Sequence, residues 1–151
     1  MRQIEPVSIS SGGFNFCKYG VAALLLIALI VPFPVRLALV AFDSLVLLIA
    51  SKVGVDKSPM VRGYELTLGR WITKKNVMLD KNGMKFAHAL GAGLTTFTLA
   101  LLLLSPKIGY MALVLTTILK IISALGHCSA LKLYGCLYSE TCCQSIKKVR
   151  I

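Results

Sequence analysis

Apolar residues along this chain are concentrated in two blocks, residues 19–50 and 86–131, and polar, largely basic segments separate and flank them. A proline-containing turn interrupts each block, with Pro32 and Pro34 in the first and Pro106 in the second. Proline cannot continue the hydrogen-bond ladder of a helix, so each turn divides its block into two helices. A helix needs about 17–25 apolar residues to cross a bilayer. The pattern predicts four transmembrane helices, at about residues 19–35, 37–51, 86–106 and 108–131.

The predicted fold is an all-α polytopic membrane protein, in which the four helices form two hairpins within one membrane domain of residues 1–151. A connector of residues 51–85 joins the hairpins, and a basic tail of residues 132–151 follows the last helix. Both spans of the first hairpin are short for a hydrocarbon core of about 30 Å. A re-entrant hairpin that does not cross the bilayer is therefore the alternative for this half.

The polar connector contains apolar residues at helical spacing, namely Tyr64, Leu68, Trp71 and Ile72. A short helix with one apolar face can lie in the headgroup layer of a membrane. The connector is therefore predicted to contain a short interfacial helix, and the alternative is a loop anchored at the interface by Trp71.

The charges are distributed asymmetrically about the predicted spans. The chain has 17 Lys and Arg residues and a formal net charge of +11. Arg36 and Lys107 lie at the short turns and Lys120 lies within a span, which leaves fourteen at the termini or in the connector. Because Lys and Arg are enriched on the cytosolic side of membrane spans, both termini and the connector are predicted to be cytosolic.

Composition agrees with a membrane location, since 56% of the residues are apolar and the mean hydropathy is +0.77. The basic residues are not accompanied by a nucleic-acid-binding motif, so no nucleic-acid partner is expected. The expected partners are the lipid bilayer and either further copies of the chain or a larger membrane complex. No phosphate loop, nucleophile elbow or nucleotide fingerprint is present, and an enzyme is not the favoured interpretation.

Asp43 and Lys120 are ionisable residues within predicted spans. A charge in the bilayer core costs about 3 kcal/mol on insertion scales, so such residues indicate a function or a buried pair. Counted from the outer turns at 1.5 Å per residue, they differ in depth by about 8 Å, which a flexible lysine side chain can largely span. We predict an intramembrane ion pair, and a proton or ion pathway is the alternative.

Histidines and cysteines collect at the predicted cytosolic ends of the helices. His88 and His127 lie at nearly equal depth, Cys128 follows His127, and Cys17 and Cys136 are expected near the same face. These side chains can bind zinc or copper, and a thiol beside histidine can be reactive. No cofactor is predicted, but a transition metal at these five residues, or a reactive Cys128 assisted by His127 and His88, is kept as an alternative.

Small residues recur at four-residue spacing on the third span, as Ala87 with Gly91 and Ala89 with Gly93. Small residues at this spacing let helices approach closely, which predicts packing against the fourth span.

Two motifs in the second hairpin carry a family resemblance. Residues 85–91 have the sequence Lys-Phe-Ala-His-Ala-Leu-Gly, and residues 126–134 have the sequence Gly-His-Cys-Ser-Ala-Leu-Lys-Leu-Tyr. They resemble the motifs Arg-Phe-Ala-Gln-Ala-Leu-Gly and Gly-Phe-Cys-Leu-Gly-Cys-x-Leu-Tyr of an uncharacterised bacterial membrane family, domain of unknown function 4395. The resemblance covers roughly residues 14–137. It implies a four-helix module, located here in the bacterial inner membrane.

The family's Cys-x-x-Cys pair also implies thiol or sulfur redox chemistry. This sequence keeps the first cysteine as Cys128 but has Leu131 at the second position. Exchange between two thiols needs an attacking and a resolving cysteine, so Cys136 or Cys17 would have to replace the missing one.

Three functions are therefore considered for the chain. The first is a non-enzymatic membrane module, either an accessory subunit or a homo-oligomer. The second is a membrane thiol or sulfur-handling redox protein centred on Cys128. The third is a small transporter or channel subunit that uses Asp43 and Lys120.

Overall fold

The computed structural model describes residues 6–54, 57–67, 69 and 76–126. Four of its helices are long and apolar enough to cross a membrane, and they form two hairpins, which confirms the predicted helical membrane fold. The elements are β1 (Pro6–Ser10), α1 (Ser11–Ile30), α2 (Phe33–Val53), α3 (Pro59–Thr67), β2 (Asn76–Asp80), α4 (Lys81–Leu104) and α5 (Pro106–Ala124).

The first helix of each hairpin begins before the apolar segment that predicted it. The hydroxyl of Ser10 accepts a hydrogen bond from the backbone N–H of Gly13 at the start of α1. At the start of α4, the carboxylate of Asp80 accepts hydrogen bonds from the N–H groups of Asn82 and Gly83. These caps satisfy backbone donors that have no partner within the helix. The helices therefore extend by polar turns beyond the apolar spans.

A two-stranded antiparallel ribbon connects the starts of α1 and α4, and the sequence pattern did not predict it. Strands β1 and β2 pair with Pro6 opposite Asp80 and Ser10 opposite Asn76. Each strand leads directly into the first helix of a hairpin. The order strand–helix–helix thus occurs twice in the described chain, and the ribbon holds both hairpins in the same direction.

The four long helices pack in a ring, in which α1 contacts α2 and α5, and α4 contacts the same two helices. Hydroxyl groups connect neighbouring helices: Ser44 and Thr96 lie 2.7 Å apart, and Thr98 and Thr116 lie 2.9 Å apart. Hydrogen bonds between polar side chains are a common contact between helices in lipid. Near the short turns the interior is apolar, with a buried cluster of Leu25, Ala28, Val40, Leu102 and Leu113.

Arg36 stabilises the short-turn end of the ring. Its guanidinium donates hydrogen bonds to the carbonyl oxygens of Ala28 at 2.9 Å and Val31 at 3.0 Å, where α1 ends. It also lies 4.9 Å from the ring centre of Tyr110, in α5. This one side chain satisfies carbonyl groups of the first hairpin and contacts the second by a cation–π interaction.

The connector contains the predicted short helix, which is α3. Its buried residues Val61 and Tyr64 face the start of α1, and the Tyr64 ring lies 5.5 Å from that of Phe16. Of the residues that predicted this helix, Tyr64 lies within it, whereas Leu68, Trp71 and Ile72 lie outside the described residues.

Candidate functional site

A cavity of about 450 Å³ lies at the end of the ring where α1 and α4 begin. Side chains of α1, α4 and α5 line most of it, and Leu47 contributes from α2. The lining is mainly apolar, and its charged or polar members are Cys17, Lys18, His88, Thr116, Lys120 and Ser123. A cavity of this size and composition is typical of a small-molecule site.

The side chain of Lys120 extends from α5 to the part of the cavity wall that Gly91 of α4 forms. A Cβ atom built on Gly91 would lie 2.6 Å from the ammonium nitrogen of Lys120, and 3.7 Å from the side chain of Leu47. The missing side chain at Gly91 therefore makes room for the ammonium group. Gly91 thus faces side chains of α5 and α2, whereas Ala89 and Gly93 are exposed and take no part in the predicted packing of the third span against the fourth within the described residues.

Asp43 lies fully buried in α2, one helical turn before Leu47. Neither oxygen of its carboxylate accepts a hydrogen bond from the described residues. Asp43 and Lys120 are close enough for their charges to interact, but the described contacts include no hydrogen bond between them. The ion pair predicted from the sequence therefore remains a prediction.

Cys17 and His88 lie at the same end of the ring, on α1 and α4. Cys17 is buried, and the hydroxyl of Ser58 lies beside its thiol without reaching hydrogen-bond geometry. The Nε2 atom of His88 is buried and has no hydrogen-bond partner in the part of the chain that the structure describes. Lys120 interacts electrostatically with both residues. The structure thus brings together Cys17, His88, Lys120 and Asp43, all of which the sequence had indicated.

The remaining candidates, His127, Cys128 and Cys136, lie outside the described residues. The metal site and the reactive Cys128 therefore stay predictions. Within the described ranges, no group of three His, Cys, Asp or Glu side chains could hold a metal ion.

Sequence reasoning missed two residues of the site, Ser58 and Lys18. Ser58 is fully buried just before α3, although a serine in a polar connector gives no signal of burial. Lys18 was counted only as a flanking charge, yet α1 begins early enough to turn this side chain towards the cavity.

Comparison with known proteins gives a family without an established function. Neither a curated protein nor a solved structure shows significant similarity to the chain. A family model described as "Domain of unknown function (DUF4395)" matches residues 13–139, which include α2 to α5, all of α1 after its first two residues, and every residue that lines the cavity. The chain therefore belongs to this family.

Proposed function

We propose that this membrane protein is a non-enzymatic module that binds a small amphiphilic anion in the cavity beside Lys120. The observation that carries the proposal is the position of the Lys120 ammonium in the wall of a largely apolar cavity. An ammonium group in such surroundings is a strong partner for an anion, because charged hydrogen bonds gain strength where water is excluded.

The lining of the cavity favours a ligand with an apolar part. Leu90 and Leu94 of α4 and Leu119 of α5 line it, and each is also exposed on the outside of the described bundle. In a bilayer, these leucines would face lipid chains. The cavity thus opens sideways between α4 and α5, which supports entry of an amphiphile from the leaflet over entry of a fully hydrophilic ion.

This proposal assigns a ligand to the membrane module inferred from the sequence, and it uses Lys120, one of the two residues of the transporter hypothesis. The thiol hypothesis stays a prediction, because Cys128 lies outside the described residues and Cys17 is the cysteine that the structure places at the cavity. Two-thiol exchange would need a resolving partner at this position.

Octanesulfonate is a suitable probe, because its headgroup stays ionised at all relevant pH values. We expect saturable binding to the purified protein in phosphatidylcholine nanodiscs, measured by isothermal titration calorimetry. Lys120→Met should raise the Kd about tenfold to a hundredfold, since a hydrogen bond to a charged group contributes about 1.5–3 kcal/mol. Gly91→Ala should raise it by about fivefold, because the new methyl group displaces the ammonium.

Gly93→Ala is the matched control on the same helix, because a Cβ atom at Gly93 would meet no described atom within 4 Å. Its Kd should equal that of the wild type. Empty nanodiscs correct for partition into lipid, and inorganic sulfate tests whether a hydrophilic anion competes. Equal octanesulfonate affinity in the wild type and Lys120→Met would refute the proposal, and competition by sulfate would replace the amphiphile by a water-soluble anion.

We also propose that the cavity opens at the cytosolic side of the membrane. The support is the charge asymmetry, which predicts a cytosolic location for the termini and the connector, together with the location of the cavity at the end where α1 and α4 begin. The short turns would then lie on the opposite side of the membrane, facing the outside of the cell.

Cysteine labelling tests this orientation at two exposed lysines, Lys57 before α3 and Lys107 at the second short turn. In a chain without native cysteines, Lys107→Cys should react with a membrane-impermeant maleimide in intact cells. Lys57→Cys should react only after permeabilisation. The opposite result would invert the proposed orientation, and labelling of both positions in intact cells would contradict a single topology.

A further inference from the structure

We propose that anion binding at Lys120 is coupled to the uptake of one proton by Asp43, so that the ligand and a proton occupy the protein together. This inference rests on the proposed function, because it concerns the same cavity. It adds the stoichiometry of binding and a role for Asp43.

The burial of Asp43 carries the first step. Its side chain is fully buried near the middle of α2, and its carboxylate accepts no hydrogen bond from the described residues. A buried carboxylate without hydrogen bonds is stable in its charged form only if an opposite charge compensates it. The cation that interacts with Asp43 from across the ring is Lys120.

The position of Gly91 carries the second step. Gly91 faces both the ammonium of Lys120 and the side chain of Leu47, which lies one turn from Asp43 on the same helix. The Lys120 ammonium therefore lies at the cavity that it lines and close to the turn of α2 that follows Asp43. An anion that enters the cavity competes with Asp43 for the same positive charge.

Charge balance gives the third step. Lys120 and an ionised Asp43 are together neutral, so a monovalent anion beside Lys120 would add one negative charge that this pair does not compensate. Transfer of one proton from water to the Asp43 carboxylate restores neutrality, and no bond other than the new O–H bond is formed. The bound state then holds the anion paired with Lys120 and a neutral Asp43.

Other titratable groups near Asp43 could take the proton instead. Cys17 of α1 interacts with Asp43, while His88 of α4 interacts with Lys120. Lys18 lines the cavity, and the charged residues of α3, Arg62 and Glu65, are exposed. His88 is the main competitor, because its Nε2 atom is buried without a partner.

Calorimetry with octanesulfonate measures directly how many protons the protein takes up for each anion bound. Titrations of the full-length protein in two buffers of different ionisation enthalpy should give an uptake of about one proton per anion bound. The Kd for octanesulfonate should rise by up to about tenfold for each unit by which the pH is raised. In Asp43→Asn the uptake and the pH dependence should disappear. In His88→Gln both should remain.

Infrared difference spectra of the wild-type protein provide a test that does not depend on the folding of a variant. Addition of octanesulfonate should produce the carbonyl stretch of a protonated carboxylic acid. Binding without proton uptake, or uptake that is lost in His88→Gln and kept in Asp43→Asn, would overturn this inference while the proposed function stands. Absence of saturable octanesulfonate binding would overturn both.

Discussion

Gly109→Ala should destabilise the protein by about 3 kcal/mol, at the upper end of the usual cost of overpacking. Gly109 lies in the first turn of α5, where the chain has just reversed direction after α4. A Cβ atom at this position would meet the backbone of Leu102, with the Leu102 nitrogen at 2.5 Å and the carbonyl carbon of Leu101 at 2.8 Å. Backbone atoms in the middle of a hydrogen-bonded helix cannot move aside as a flexible side chain can.

Relief of this clash requires α5 to shift away from α4, and the shift would reach the buried apolar cluster. Leu102 and Leu113 both belong to it, and both are completely buried. Interiors packed at crystal-like density lose dispersion contacts when such a gap opens. The free energy of unfolding, measured by titration with dodecyl sulfate in mixed micelles, should show the loss.

Gly93→Ala again supplies the matched control, since it makes the same chemical change in α4 where a methyl group has open space. It should leave stability unchanged or raise it by about 0.5–1 kcal/mol, because glycine is unfavourable in a helix interior. Equal stability of the two variants would show that α4 and α5 are not in close backbone contact at Gly109.

The four long helices could be predicted because lipid makes the hydrophobic pattern nearly sufficient. Every backbone polar group in the bilayer must be satisfied within the segment, so a long apolar run is a helix. Proline at the two turns then determines where each block divides. A short helix in the connector was also expected, although Tyr64 alone of the residues that predicted it lies within α3.

The ribbon was not predictable in the same way. Residues 6–10 and 76–80 are short segments that lie far apart in the sequence, and each meets its strand partner only in the folded chain. Local hydrophobic periodicity contains no information about such a pairing. The early start of α1 at Ser11 was missed for another reason: the first predicted span began at residue 19, where the apolar run starts, whereas the Ser10 side chain caps the helix before that run.

The site was predictable in its members and not in its geometry. A charge in an apolar span is costly enough to mark Asp43 and Lys120 without a structure. Their contacts depend on how each helix is rotated about its axis and on the depth of neighbouring residues. The role of Gly91 illustrates the difference, since its spacing predicted close packing but not that the approaching group is the ammonium of Lys120.

Loss of either Asp43 or Lys120 should reduce stability by about 3–5 kcal/mol, because each removal leaves the other charge buried without compensation. Asp43→Asn keeps the size of the carboxylate, and Lys120→Met keeps the length of the lysine side chain. The double variant leaves no net charge behind, so it should recover much of the loss. The coupling energy from the double-mutant cycle, measured by urea unfolding in non-ionic detergent micelles, should then be large and favourable.

The control variant changes a different lysine of the same helix and leaves Lys120 in place. Lys107 is exposed in the first turn of α5, far from Asp43 along the bundle axis. Asp43→Asn combined with Lys107→Met should show simple additivity, as expected for distant sites. If the losses of Asp43→Asn and Lys120→Met also add, the two charges are not coupled. Proton uptake on anion binding would then need a source of charge compensation other than Lys120, since the carboxylate of Asp43 has no hydrogen bonds from the described residues to replace it.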